Sequence, residues 1–182
     1  MLAHGYPSDL CEWAGYAPVL ARAGFRVLMF DFRGSGHSAR GRTGDFLADV
    51  RGAAAELGRQ GADRVVLIGS SFGGTAVLDA AATMNPPPAG VVDLSGPLDL
   101  SARVSAFSSA AEAAPRIRSP VLLMWGRSDH RMPPDAGRKF LRAVRSPEKA
   151  TATFPGAGHG AGLVEGTPAA SRVLLAFLRR VS

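Results

Sequence analysis

The chain has 182 residues, 46% hydrophobic and 20% charged, which is the composition of one globular domain, residues 1–182, with enough length to bury a core. Its net charge of +6 comes from scattered arginines with no basic run interleaved with aromatics, which argues against a nucleic-acid surface. The single Cys11 excludes an internal disulfide and a cysteine-based zinc site, no apolar stretch approaches the ~20 residues of a membrane span, and no basic-then-apolar leader pattern opens the chain; the expectation is a soluble, cytoplasmic protein.

Taken in order, a helical pattern over 10–23 precedes an apolar strand pattern over Phe25 to Phe30, and a second helix is expected over 43–59. The run Arg64 to Ile68 is the next strand, followed by a helix over 73–84 that Asn85-Pro86-Pro87-Pro88 must end, because consecutive prolines cannot continue the hydrogen-bond ladder. Strands are then expected at Gly90 to Leu94, Pro120 to Trp125 and Thr151 to Phe154, with helices over 134–145 and 168–180. Residues 101–119, rich in Ser and Ala with one weakly helical patch, span the only place where an inserted lid could sit and leave no room for a lid domain. Strand and helix alternate, and the strands are nearly continuous Val, Leu and Ile. The fold class is therefore α/β, a mostly parallel sheet with helices on both faces.

The segment Gly69-Ser70-Ser71-Phe72-Gly73 joins a strand to a helix. A serine at such a junction can be thrust out of a sharp turn as a nucleophile, and side chains at Gly69 or Gly73 would collide with the neighbouring strand and helix. At this glycine and serine content the pattern alone is weak, so its partners decide. A serine hydroxyl needs a base to accept its proton, and His159, in a Gly-rich loop after the last strand, is the candidate. Asp129, after the strand ending at Trp125, would orient that ring and stabilise its charged form. Bland readings stand beside these: Ser71 as a helix N-cap, Asp129 as a cap of the turn before Pro133-Pro134, and His159 as a loop residue without a role.

The motif order resembles the α/β-hydrolase superfamily over nearly the whole chain. His4-Gly5-Tyr6-Pro7 matches its H-G-x-P loop, and Asp31-Phe32-Arg33-Gly34-Ser35-Gly36-His37-Ser38 its D-x-R-G-x-G-x-S segment. Gly69 to Gly73, Gly126-Arg127-Ser128-Asp129 and Phe154-Pro155-Gly156-Ala157-Gly158-His159-Gly160 follow in the family's order. The resemblance implies a catalytic triad of Ser71, Asp129 and His159, with Asp99 as the reserve acid. It also implies an oxyanion hole made by the main-chain N–H groups of Tyr6 and Phe72. His4 would order the oxyanion loop, and His130 and His37 would be surface or pocket residues. His37, Trp125, Met132 and Leu163 are candidate pocket residues, with core packing the equal alternative for the three apolar ones.

The function implied is a serine hydrolase cleaving small or short-chain carboxylic esters, similar to small carboxylesterases or the dienelactone-hydrolase-like branch. It needs no metal and no organic cofactor, and its partner is a small-molecule ester. A peptidase or amidase with the same triad and a non-catalytic, truncated hydrolase-like protein are the alternatives. Ser71 speaks against a haloalkane dehalogenase, which would need Asp there. Family members usually carry two strands and most of a third before the H-G motif, where this chain has only Met1-Leu2-Ala3. A gap is therefore expected between the strands of Phe25 to Phe30 and Arg64 to Ile68, and with it a reading frame that begins upstream, or a fragment of a longer hydrolase, because unpaired buried ladder groups are costly.

Overall fold

The computed structural model describes residues 1–41, 45–131, 135–156 and 158–182. Its sheet has six parallel strands: β1 (Leu2–Ala3), β2 (Met29–Phe30), β3 (Val66–Ser70), β4 (Gly90–Leu94), β5 (Val121–Gly126) and β6 (Lys149–Phe154). Their spatial order is β2-β1-β3-β4-β5-β6. The helices are α1 (Ala17–Arg22), α2 (Phe46–Arg59), α3 (Phe72–Ala81), α4 (Ala110–Ala113), α5 (Ala136–Ala143), α6 (Ala161–Gly166) and α7 (Pro168–Val181).

Alternate strand residues face opposite sides of the sheet, and two apolar clusters result. Ala3, Leu67, Val91, Val121 and Leu123 pack against Leu47 and Val50 of α2, Val77 of α3, and Phe140 and Leu141 of α5. Leu2, Ile68, Val92, Leu122 and Met124 pack against Trp13, Leu20 of α1, Leu163 and Val164 of α6, and Leu174 and Phe177 of α7. Strands buried on both faces read as continuous apolar runs, as seen in β3, β4 and β5.

The expected gap is filled only at its upper end. Leu2 pairs with Met29 on one side and Ile68 on the other, and Ala3 with Phe30 and Gly69. Because β1 offers two rungs, the strand expected over Phe25 to Phe30 shortens to Met29–Phe30. Below Met1, a cleft of about 160 Å³ between Phe25–Val27 and Arg64–Val66 continues the line of β1. The short helix α4, which starts at a capping box between Ser109 and Glu112, falls in the weakly helical stretch 101–119, and α6 lies where no helix is expected. The expected helices over 43–59 and 134–145 begin within residues outside those described. Among the described residues no helix is long and apolar enough to cross a membrane.

Candidate active site

Six parallel strands place their C-terminal ends, and the segments that follow them, along one rim, the edge at which open α/β sheets receive ligands. His4 and Gly5 follow β1, Asp31 follows β2, Ser71 follows β3, Asp129 follows β5 and His159 follows β6.

Ser71 has φ +50° and ψ −115°, a left-handed conformation that a non-glycine residue adopts only when its surroundings enforce it, at a cost of about 1–3 kcal/mol. The enforcement is steric. A Cβ on Gly69 would lie 2.1 Å from the Gly73 carbonyl oxygen, and one on Gly73 would lie 2.5 Å from that of Ala3. Ser71 stands at the N-cap position of α3, but its side chain makes no capping hydrogen bond.

The loops after β5 and β6 are joined main chain to main chain. Arg127 N donates to Phe154 O at 2.8 Å, Ser128 N to Gly156 O at 3.0 Å, and Gly126 N to Gly158 O at 3.2 Å. This brings His159 Nδ1 to 2.6 Å from Asp129 Oδ2, with the Asp129 side chain 4% exposed and the His159 ring 21% exposed. The other Asp129 oxygen accepts from Arg131 N at 3.1 Å, so the carboxylate both caps its turn and holds the ring. Asp99 is engaged elsewhere: it accepts from Ser101 and from Ala110 N at 3.0 Å, and these bonds hold its carboxyl below the usual range. The structure therefore joins His159 to Asp129 and not to the reserve acid.

A link that no sequence motif marks ties the turn at Ser71 to both flanking loops. The Ser70 hydroxyl donates to Glu12 Oε1 and accepts from Ala161 N at 3.1 Å, two residues past His159. The other Glu12 oxygen accepts from Gly5 N at 2.5 Å. Asp9-x-x-Glu12 looks like a local capping pattern, and Asp9 does cap the 3₁₀ turn Leu10–Trp13, which hides the long-range role of Glu12. Gly5 in turn approaches Ser71, since a Cβ there would stand 3.3 Å from Ser71 Cβ.

The buried His4 ring is fully committed, with Nδ1 donating to Gly5 O at 2.7 Å and Nε2 accepting from Phe32 N at 3.1 Å. That fits an ordering residue. Asp31 anchors the D-x-R-G-x-G-x-S segment by accepting from Leu10 N at 2.7 Å and His37 N at 2.9 Å. Gly36, at φ +49°, has no space for a Cβ beside that carboxylate. Arg33 pairs with Asp49 through several bonds, the shortest 2.7 Å. Among the described residues neither Tyr6 N nor Phe72 N has a hydrogen-bond acceptor, so both amides are available to a bound group.

A cavity of about 500 Å³ opens beside Ser71, lined by His4, Gly5, Tyr6, Phe32–Ser35, Phe46, Phe72, Pro97, Leu100, Arg103 and Val104. Phe72 stacks edge-on against Phe32 and Phe46, with centroids 5.4 and 5.0 Å apart, and Tyr6, 78% exposed, tilts over Phe72 at the mouth. Three expected pocket residues do not line it. Trp125 is buried against Gly137, Leu163 is buried against Gly158, and His37 is exposed on the loop that its amide ties to Asp31. Apolar type alone cannot separate a pocket wall from core. Met132 lies outside the described residues. His130, expected at the surface or in the pocket, is exposed and does not line this cavity. Among the described residues no group of three or more His, Cys, Asp or Glu is arranged to hold a metal.

A family model described as alpha/beta hydrolase fold matches residues 1–101, and a second, described as serine aminopeptidase, matches residues 100–163. Epoxide hydrolase B of Mycobacterium tuberculosis is 32% identical over 103 residues, covering 53% of this chain and 28% of that protein. Bifunctional epoxide hydrolase 2 of Sus scrofa is 35% identical over 83 residues, 44% of this chain and 15% of that one. The chain thus spans less than a third of the length of either curated relative. Among solved structures, a monoacylglycerol lipase from Paleococcus ferrophilus superposes with a TM-score of 0.81 at 22% identity, covering 100% of this chain and 93% of that one. An esterase from Pyrococcus furiosus gives 0.79 at 22% identity, covering 98% and 79%.

Proposed function

Because this chain belongs to the α/β-hydrolase fold family, we propose that it is a serine hydrolase that cleaves carboxylic esters of small or short-chain acyl groups through an acyl-enzyme on Ser71. The observation that carries this reading is the 2.6 Å bond between Asp129 and His159, on loops hydrogen-bonded to each other at the rim that holds Ser71.

In the proposed reaction the Ser71 hydroxyl attacks the acyl carbonyl and gives its proton to His159 Nε2. Asp129, accepting from Nδ1–H, fixes the tautomer that leaves Nε2 able to take it and stabilises the imidazolium. The carbonyl oxygen becomes an oxyanion and receives the Tyr6 and Phe72 amides; a single donor of this kind is worth about 3 to 4 kcal/mol. The alcohol departs with the proton from His159. Water, deprotonated by the same ring, then attacks the acyl-enzyme and releases the acid, and Ser71 regains its proton.

The esterase and lipase among the structural neighbours are in keeping with this chemistry. Epoxide opening, named for the curated relatives, fits Ser71 poorly, because a serine oxygen attacking an epoxide carbon leaves an ether that water does not cleave. The match of residues 100–163 to a serine aminopeptidase model favours a second reading, amide or peptide cleavage by the same residues. The reaction needs no metal or organic cofactor, and the cytoplasm, a reducing compartment, suits a chain whose only cysteine is Cys11.

A fluorophosphonate probe tests the catalytic reading. The native chain is expected to label at Ser71, with Ser71→Ala unlabelled and His159→Ala labelled far more slowly. Equal labelling of all three, or none in a folded native chain, overturns it. Comparing kcat/KM for 4-nitrophenyl butyrate with that for L-proline 4-nitroanilide separates the two readings, and a preference for the anilide would displace the ester.

A further inference from the structure

The cavity beside Ser71 has apolar walls and an uneven charge. Among the described residues two arginine side chains line it, and they differ. Arg33 is matched by Asp49. Arg103 is exposed at the rim, and among the described residues its guanidinium has neither a hydrogen-bond acceptor nor an acidic partner. The acids nearby in the fold are engaged, Asp31 by the amides of Leu10 and His37 and Asp99 by Ser101 and the Ala110 amide. The cavity therefore presents one unmatched positive charge above an aromatic and aliphatic floor.

The segment carrying Arg103 is held at both ends. Arg103 N and Val104 N both donate to Leu100 O at 2.9 Å, Phe107 is buried, and Ser108 N donates to Asp79 of α3 at 2.8 Å. A guanidinium on an anchored turn loses little main-chain freedom when it meets a carboxylate, and its planar fork suits two-point contact. The geometry also says which half of the substrate lies here. The leaving alcohol takes its proton from His159 and departs on that side, and His159 does not line this cavity. Ser71, Tyr6 and Phe72 do, so the cavity holds the acyl half, which stays bonded to Ser71 through both steps.

We propose that this cavity is an anion-selecting acyl subsite, in which Arg103 holds the distal carboxylate of a dicarboxylic acid monoester while the apolar walls hold the chain between. The inference deepens the serine-esterase reading and rests on it.

Phenyl hydrogen adipate and phenyl hexanoate, equal in chain length and leaving group, test it in the native chain and in Arg103→Ala, Arg103→Lys and Arg103→Glu. The ratio of kcat/KM, charged ester over neutral, is expected to exceed one in the native chain and to fall about fivefold in Arg103→Ala, as for a solvent-facing ion pair. Arg103→Lys should keep most of it, Arg103→Glu should invert it, and ~0.5 M salt should reduce it. A ratio unchanged across the four chains, with both esters turned over, removes the subsite and leaves the esterase standing. Calorimetry of the same two compounds on Ser71→Ala reads binding without turnover. Arg103-dependent preference for the adipate monoester there, with no hydrolysis by the native chain, would instead keep the subsite and remove the esterase.

Discussion

Replacing Glu12 is the perturbation with the widest expected reach, because one half-buried carboxylate accepts from the Gly5 amide at 2.5 Å and from the Ser70 hydroxyl. Gly5 and Ser70 are both buried, so Glu12→Ala leaves two donors without acceptors. A hydrogen bond to a charged group contributes about 1.5–3 kcal/mol, and access of water to a half-buried site favours the lower end, so the loss should be about 3 kcal/mol. Glu12→Gln keeps one acceptor oxygen and should lose about half as much. The effect on turnover follows from the chain: Gly5 precedes Tyr6, whose amide is a proposed oxyanion donor, and Ser70 precedes Ser71 and accepts from Ala161 N beside the His159 loop. Displacing an oxyanion donor reduces kcat by about 10²–10³, and partial displacement in Glu12→Ala should reduce it at least tenfold with little change in KM. Urea denaturation and initial rates on a short-chain ester measure the two effects. In a double-mutant cycle Ser70→Ala should be less damaging in the Glu12→Ala background than in the native chain, since their shared bond is already gone. Glu12→Ala within ~0.5 kcal/mol of native stability and within twofold of native kcat would show that the three loops hold their places without it.

Two glycine substitutions should move stability in opposite directions. Gly73→Ala forces a Cβ to 2.5 Å from the Ala3 carbonyl oxygen and 2.6 Å from that of His4, main-chain atoms that cannot turn aside, and should cost about 3 kcal/mol or more. Gly52→Ala, on the exposed side of α2 with nothing within 4 Å, should gain about 0.5–1 kcal/mol; urea midpoints measure both, and equal signs would contradict the steric account of the turn. Burial holds the Asp93 carboxyl well above the usual range, although Gly96 N donates to it at 2.7 Å. The folded chain therefore keeps a proton that the unfolded chain releases above pH ~4, so the stability Asp93 contributes is fully present below that pH and lost as pH rises towards its raised folded value. Asp93→Asn has no proton to lose and should gain on the native chain as pH rises above about 4, as followed by denaturation at each pH; a stability difference independent of pH would mean that the folded state holds Asp93 ionised.

What could be read from the amino-acid sequence was what is local. The turn at Gly69 to Gly73 is set by collisions within a few residues and with one neighbouring strand, so its glycine spacing carries the steric requirement almost unaided. The strands β3, β4 and β5 are apolar along most of their length, Ser70 and Asp93 apart, because both of their faces are covered. The length of β2 was not readable from Phe25 to Phe30, because it depends on how many rungs β1 offers. Helix α6 was missed because Ala161–Gly166 contains two glycines and too few residues for a period to show; burial of Leu163 and Val164 holds it.

The site divides in the same way. Asp129 is the first candidate acid in the sequence and Asp99 its reserve, and what brings His159 to the former is the set of bonds that zip the β5 loop to the β6 loop, contacts between segments some thirty residues apart. Glu12 acts on Ser70 across 58 positions, and neither residue type announces it. The amides of Gly5, Tyr6 and Phe72 have no identity in a sequence at all, because any residue but proline supplies one. What distinguishes them is that Gly5 N is already spent on Glu12 whereas the next two along the rim are not. On the proposed reading, the site therefore depends on main-chain donors left unsatisfied where six parallel strands end as well as on the side chains of Ser71, Asp129 and His159, and only the side chains leave a mark in the sequence.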